Sequence, residues 1–493
     1  MRLKVKNLNW QAGRPVVFLD RLMAREMDIS VNDRVLISNK KRVYAVVDIF
    51  SGIVKKNEIG LSHELTQILK SKEGEEIEVR PSQVSNAIYV INKKINGQEL
   101  SREELEFLIS EIVHNNLTEA EIAYFTSAEK LEGLDMKEII DLTRAMVKTG
   151  VKLKFKGRHI ADKHSIGGIA GNRTTPLVVS ICASLGLIMP KTSSKAITSA
   201  AGTADVMETI AKVDLSIGEI KRVVKKTNAC LAWGGSLGLA PSDDKIIKVE
   251  RMLNLDADPQ LLASIMSKKI AAGSKYILID IPYGEEAKVN SLKKAKRLGN
   301  KFRTIARAFN VKVKTVYTKG DGPIGNGIGP NLEMLDVLSV LKNSPRCPPD
   351  LKEKAIYLST ELLSLCGIKN AKVKAEKVLS SGKAYEKFKE IINAQNKSND
   401  FEKRIAKLKV AKNEEVFKAY KSGTISKIGN KEINSLCRIL GTPETETAGI
   451  YLYKHLGDKV EKGQPLFKMF SESPTKIKDA KDFIRDFEPI EIR

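Results

Sequence analysis

The chain has 493 residues, 42% of them hydrophobic and 5% aromatic, and a formal net charge of +23. That length and apolar content specify a globular protein of about three or four domains and exclude a disordered chain. The low aromatic content argues against base-stacking platforms for single-stranded nucleic acid. Lysines such as Lys55, Lys56, Lys293, Lys294 and Lys296 are dispersed among acids rather than gathered in one basic arm. The charge therefore reads as a lysine-rich surface plus steering of anionic small substrates, with nucleic acid the less favoured partner.

Residues 1–85 predict a small β-rich barrel. Pro15–Leu19, Arg34–Ser38, Arg42–Asp48 and Glu76–Val79 are β-branched runs separated by polar turns. Residues 86–160 predict an α-helical subdomain, because Ser101-x-x-Glu104, Thr118-x-x-Glu121 and Asp135-x-x-Glu138 are capping boxes. Ser216-x-x-Glu219 opens another helix, so the subdomain is expected to be completed by about 212–240. Across 161–345, glycine turns alternate with apolar strands and helices, among them a helix over 176–187 and strands over 276–280 and 311–317. That alternation predicts an α/β domain with a mostly parallel sheet. Residues 346–414 read as a helical connection. Residues 415–493 turn β-rich again around the turn Gly457–Gly463, predicting a C-terminal α+β domain like a barrel-sandwich.

Cys182, Cys230, Cys347, Cys366 and Cys437 form no Cys-x-x-Cys pair, which argues against zinc and suits a reducing cytoplasm. No signal peptide and no membrane-length apolar run is read, so a cytoplasmic location without membrane attachment is expected. The histidines show no metal-ligand spacing, and no metal or cofactor is expected.

The chemistry concentrates in a few segments. Thr192, Ser193, Ser194, Lys195, Thr198, Ser199 and Thr203 fall within one short stretch that almost lacks bulky apolar residues. Small residues allow close backbone approach, while hydroxyls and an ammonium supply donors, so the stretch reads as an anion pocket for phosphate. Lys163-His-Ser-x-Gly-Gly168, some thirty residues earlier, offers a second oxyanion grip through Lys163, Ser165 and backbone N–H groups. Its glycine spacing is not that of a P-loop. His164 is a tempting base, but a lone histidine is more often structural. Downstream, Asp258-Pro259 looks like a helix start. Leu262, Met266 and Ile270 make the buried stripe of that helix, and Ser264 and Lys268 share another face. Asp256 just before it reads equally as a capping acid or a catalytic one. The glycine-rich run 320–330 reads as a flexible hinge capped by Asn331.

These motifs together resemble the thymidine and pyrimidine-nucleoside phosphorylase family over about residues 85–493. The likeness rests on Lys163-His-Ser-x-Gly-Gly168, Gly202-Thr-x-Asp-x-x-Glu208, Ala263-Ser-Ile-x-x-Lys-Lys269 and the Gly457 tail. Two departures are informative. The family's pyrimidine enzymes carry an arginine where this chain has Val249, and Ser-Gly-Arg-Gly where it has Ser193-Ser-Lys-Ala196. The N-terminal barrel is a third. Together they resemble the AMP phosphorylase branch of archaea.

That resemblance implies phosphorolysis of AMP, and to some degree CMP and UMP, by inorganic phosphate as co-substrate, giving free base and α-D-ribose 1,5-bisphosphate. It implies AMP contacts at Gly168, Ser194, Lys195, Ala196, Ile197, Thr198, Ser199, Thr203, Ser264 and Lys288. It implies phosphate contacts at Lys163, Ser165, Ser193 and Thr203, a base-side Lys268, and Asp256 as proton donor. It also implies a homodimer packed through the α subdomain, with a larger assembly through the barrel as a further option. An unperturbed aspartate has a pKa of about 3.9, so holding a proton at neutral pH costs about 4 kcal/mol unless burial or a neighbour raises it. A pyrimidine-nucleoside phosphorylase is the alternative enzyme, and a nucleic-acid or partner-binding protein the non-enzyme alternative.

Overall fold

A computed structural model of the protein describes residues 1–493 except 40, 83, 84, 197, 198, 236, 254 and 256. The chain divides into two units, Met1–Thr149 with Ala240–Ser264, and Gly150–Leu239 with Ile265–Arg493.

The first unit opens with a closed six-stranded barrel. Its strands run in the order Arg2–Asn7, Glu58–Leu61, Val16–Leu19, Arg42–Ile49, Arg34–Ser38 and Glu76–Pro81. Alternation sets which side chains fill it: Leu3, Val5, Val35, Ile37, Ile77 and Val79 point inward, and their charged neighbours point out. Two strands escaped the sequence reading. Glu58–Leu61 contains Gly60, where a Cβ would stand 2.7 Å from Leu8 Cδ1 and 3.0 Å from Phe18 Cβ, so close packing demands a residue that reads as a breaker.

Helices Ala87–Ile95, Arg102–Val113, Glu119–Leu131 and Met136–Thr149 follow. Ser101 with Glu104 and Thr118 with Glu121 form reciprocal capping boxes, and Asp135 exchanges the same pair of bonds with Glu138. Glu138 also takes a buried ion pair from Lys94 at 2.9 Å. Glu121 has a second task, accepting from barrel residue Arg34 at 2.8 Å. The segment that completes this helical unit is Ala240–Ser264, not the expected 212–240. Helix Pro241–Leu253 packs on the three helices between 102 and 149. Its Lys245 caps the end of Arg102–Val113, donating to the carbonyls of Ile112 and Val113 at 2.7 Å. Helix Ile217–Thr227, although its capping box is real, buries Ile220, Val223 and Val224 with Cys230 and Ala232 in the second unit. Residues 150–160 also belong to the second unit: Val151 N–H donates to Gly238 O and Leu153 N–H to Ala271 O.

The second unit is built on parallel strands. Lys312–Lys319, Tyr276–Tyr283 and Ala161–Ser165 pair in that order, and Met189–Ser193 pairs with Ala229–Trp233. A parallel bridge between Ile160 and Ile188 joins the two groups. Helix Thr174–Ser184, buried from Thr174 to Ala183, lies in the core. Helices Pro349–Leu365, Ala371–Ser380 and Lys383–Asn396 bury Leu358, Leu362, Val378, Leu379, Phe388 and Ile391 in that same core, so most of 346–414 is part of the α/β body and not a connection. The C-terminal region carries antiparallel sheets with helices Asn430–Leu440 and Pro474–Asp486, around a core that also takes in Ala170, Ala200 and Ile328.

The glycine run 320–330 differs from the expected hinge. Amides of Asn326 and Gly327 both donate to Asp336 Oδ2 at 2.7 Å, and that of Gly325 to Asp350 at 3.0 Å. Gly329, not Asn331, caps the helix Pro330–Leu341, while Asn331 is buried and donates to Lys409 O. With its N–H groups pinned by carboxylates, the run is a fixed joint.

Candidate active site

Ser165 and Ser193 are the last residues of two parallel strands, at the carboxyl edge where α/β sheets bind ligands. Beside Ser165, Lys163 is almost fully buried and donates to Thr174 Oγ1 at 2.7 Å. Burial pushes its ammonium down to about 7, a shift that the nearby Asp280 carboxylate only partly opposes. Lys191 and Lys269 are also buried, 3.3 and 2.8 Å from the carboxylate of Asp162, and Lys354 lies 3.3 Å from Asp280. Four buried lysines thus share two buried carboxylates. Burial also lowers Lys191 to about 7 and pushes Lys354 down, so these ammonium groups are easily neutralised, and an anion beside them favours their charged forms. His164 stands among these lysines; burial and their charge push its pKa well down, so its imidazole is neutral.

Ser165 Oγ donates to Asp280 Oδ2 at 2.7 Å, and Thr318 Oγ1 donates to the other oxygen at 2.7 Å. A serine has one proton, and here it is given to Asp280, so Ser165 presents lone pairs rather than the phosphate donor expected from sequence. Gly168 has φ +105, and a Cβ there would lie 3.2 Å from Lys288 N. The close approach brings the Lys288 backbone directly against the first anion segment.

The second segment is folded around Asp205. Amides of Ala196 and Gly202 both donate to Asp205 Oδ2 at 2.7 Å, and Ala204 N–H donates to Ser194 O at 3.2 Å. A Cβ on Gly202 would sit 2.6 Å from the Lys195 carbonyl carbon, so the loop closes only on glycine. The Ala196 amide is consequently committed within the loop. Ser194 is exposed, Ser199 Oγ donates to Ala201 O at 3.1 Å, and Ser193 Oγ is buried with no hydrogen-bond partner among the described residues. Lys195 pairs with Glu208 at 2.6 Å and lies 5.3 Å from the centroid of the Trp233 ring. Ile197, Thr198 and Asp256 lie outside the described residues.

The two segments are joined by a residue that the sequence reading missed. Arg173, buried at the start of helix Thr174–Ser184, donates from Nη1 to Thr203 Oγ1 at 2.6 Å and from Nη2 to Ala201 O at 2.9 Å. Its Nε donates to Glu333 Oε2 at 2.6 Å. Because Thr203 accepts from Arg173, its own proton is left to point at an oxyanion. A signal existed: a cation at a helix N-terminus opposes the helix dipole and needs an anion to justify it.

Of the other expected residues, Lys268 is half-buried on helix Asp258–Ala271 and adds to the positive field on His164. That helix begins at Asp258 itself, so Asp258 is its first residue rather than its cap. Ser264 belongs to the first unit, where its Oγ donates to Asp243 Oδ2 at 2.7 Å and Gln260 Nε2 donates to Oδ1 at 2.9 Å.

Family descriptions match three parts of the chain: a glycosyl transferase helical bundle domain over 88–150, a glycosyl transferase a/b domain over 157–385, and a pyrimidine nucleoside phosphorylase C-terminal domain over 424–490. Fold and match together define a glycosyl transferase of the nucleoside phosphorylase type. An AMP phosphorylase of Thermococcus kodakarensis is 42% identical over 100% of this chain and 98% of its own length, and the chain belongs to the AMP phosphorylase family. A putative thymidine phosphorylase of Legionella pneumophila (strain Corby) is 40% identical over 89% of this chain and 84% of its own. Anthranilate phosphoribosyltransferase from Thermus thermophilus superposes with a TM-score of 0.53 at 16% identity, covering 62% of this chain and 99% of that one, a likeness of fold.

Proposed function

We propose that the protein catalyses phosphorolysis of AMP: inorganic phosphate attacks C1′ of the ribose as the C1′–N9 bond breaks, giving adenine and α-D-ribose 1,5-bisphosphate. CMP and UMP belong to the same reading as further substrates, with phosphate the only co-substrate and no cofactor. The observation that carries it is the pair of oxyanion segments tied together by Arg173, with Lys163 buried beside Ser165. Full-length similarity to AMP phosphorylases supports the choice of nucleotide.

In this reading Lys163, Ser193 and Thr203 hold the attacking phosphate, which replaces a bimolecular encounter with a fixed approach to C1′. Positive charge grows on the sugar in the transition state, and the phosphate dianion held beside C1′ stabilises it. Ser165 joins them only by turning its proton from Asp280. Gly168, Ser194, Lys195, Ser199 and Lys288 receive the nucleotide, and the family resemblance assigns Ile197, Thr198 and Ser264 to AMP as well. The C1′–N9 electron pair leaves with adenine, and Asp256 supplies the proton or the hydrogen bond the base requires, with Lys268 on the base side. The reading includes a cytoplasmic homodimer. No helix of the described residues is long and apolar enough to cross a membrane.

The test is incubation with AMP and phosphate, followed by chromatography for adenine and a bisphosphorylated ribose, with thymidine and adenosine in parallel arms. Release of adenine only when phosphate is present supports the assignment. Equal rates on thymidine and AMP return the protein to nucleoside phosphorolysis. Asp256→Asn is expected to cut turnover far more than it weakens AMP binding, and near-normal turnover removes Asp256 from the chemistry.

A further inference from the structure

Helix Asn430–Leu440 lies in the C-terminal region, outside both anion segments in sequence, yet two of its side chains reach them. Asn430 Oδ1 accepts the backbone N–H of Ala170 at 3.0 Å, and Asn434 Oδ1 accepts that of Ala200 at 2.9 Å. Ala170 lies two residues beyond Gly168, and Ala200 directly follows Ser199. Both alanines are buried, so neither amide can turn to water if its acceptor is removed. Asn430 does more. Its Nδ2 donates to Glu286 O at 3.2 Å and Gly320 O at 3.3 Å, and its own N–H donates to Glu286 Oε2 at 3.2 Å. Glu286 is two residues from Lys288. The three segments that carry Gly168, Ser199 and Lys288 are therefore anchored to one face of one helix. Asparagines four apart on a helix stand about 6 Å apart along its axis, a spacing fixed by the helix itself.

We propose that Asn430 and Asn434 are positioning residues for the nucleotide: the C-terminal region sets the separation of the two anion segments through this pair. The inference rests on the AMP phosphorolysis reading. Neither side chain is assigned contact with substrate. Segments that hold AMP equally in ground and transition state affect KM more than kcat when they loosen.

The test is steady-state kinetics of the full chain with AMP and phosphate, beside thermal melts. Asn434→Ala and Asn430→Ala are each expected to raise KM for AMP about tenfold while kcat changes less than about threefold. Asn434→Asp keeps an acceptor for Ala200 and is expected to restore KM; Asn430→Asp loses both Nδ2 donors and is not. Ile433→Val, on the same helix but in the core, is expected to lower the melting temperature with KM unchanged. Unaltered KM in both alanine variants overturns the proposal, and so does Asn434→Asp as impaired as Asn434→Ala. If the alanine variants do not fold, hydrogen exchange on the wild-type protein decides. The Ala170 and Ala200 amides are expected to exchange as slowly as the interior of the helix, and exchange within seconds overturns the anchoring. A wild-type protein that leaves AMP intact sinks the functional reading instead, and the exchange measurement still stands.

Discussion

Arg173 donates to Thr203 Oγ1 at 2.6 Å, so a cation five residues beyond the first anion segment fixes the hydroxyl that closes the second. The same guanidinium is held from behind by Glu333, whose carboxyl burial raises and Arg173 draws back down. Removing Arg173 frees the Thr203 hydroxyl and strands a buried carboxylate. Arg173→Met is expected to lower kcat/KM for phosphate by about 2 kcal/mol, roughly thirtyfold, and to destabilise the fold by about 3 kcal/mol. Arg173→Lys keeps the charge but not the fork, and should recover stability better than activity. Kinetics with varied phosphate, paired with urea melts, separates the two effects.

Ser165 and Thr203 make a contrast. Ser165 has already given its proton to Asp280, whereas Thr203 accepts from Arg173 and has its proton to spend. Thr203→Ala is therefore expected to raise KM for phosphate about tenfold, and Ser165→Ala only about threefold. The reverse order in steady-state kinetics would show that Ser165 turns away from Asp280 when phosphate arrives.

Much of this was legible in the chain. Capping boxes at Ser101, Thr118 and Ser216 mark helix starts by local chemistry alone, and they stand where the spacing put them. What a capping box does not encode is which core the helix joins, and so helix Ile217–Thr227 falls to the second unit. Lys163, Ser193 and Thr203 stand out as candidates because lysine and hydroxyls cluster in two short segments of the sequence. Arg173 and Asp280 do not, since each acts on residues tens of positions away, and Asp205, although part of the Gly202–Glu208 motif, works through backbone amides that the motif does not reveal. Asn430 and Asn434 are further still: two asparagines in an amphipathic helix read as polar-face residues until the partner loops are seen.

Lys163 gives a pH prediction. Burial lowers its pKa to about 7, so above that pH the free protein holds it mostly neutral. A phosphate dianion beside it favours the charged form and raises the value again. Phosphate binding at about pH 8 is therefore expected to draw up to roughly one proton from solvent. Titration calorimetry in buffers of different ionisation enthalpy measures that uptake, and Lys163→Met should reduce it, any remainder belonging to Lys191, which burial also lowers to about 7. Proton-neutral binding in the wild-type protein would exclude Lys163 as the phosphate cation.

Lys195 is held by Glu208 and lies near the Trp233 ring, with both charged side chains partly exposed. A pair of that kind contributes only about 0.5 kcal/mol, so it yields readily to a nucleotide phosphate. Lys195→Ala is expected to cut the preference for AMP over adenosine by at least about tenfold. Glu208→Gln releases the lysine and is expected to lower KM for AMP by about twofold. Competition assays with both substrates check this, and an unchanged preference in Lys195→Ala removes that residue from phosphate recognition.

The glycine joint gives a prediction about stability alone. Asp336 accepts the amides of Asn326 and Gly327, yet burial raises its pKa to about 7. A carboxyl whose folded pKa exceeds its unfolded value of about 4 binds its proton more tightly when folded. Its contribution is fully present below pH of about 4 and is lost as pH rises to about 7. The loss amounts to about 2–4 kcal/mol by linkage. Asp336→Asn keeps an oxygen for both amides and has nothing to ionise. Between pH of about 5 and 8 the wild-type protein should lose this increment in urea melts, and Asp336→Asn should not. If both proteins show the same pH slope, Asp336 is ionised in the fold across that range, and the two amides together outweigh its burial.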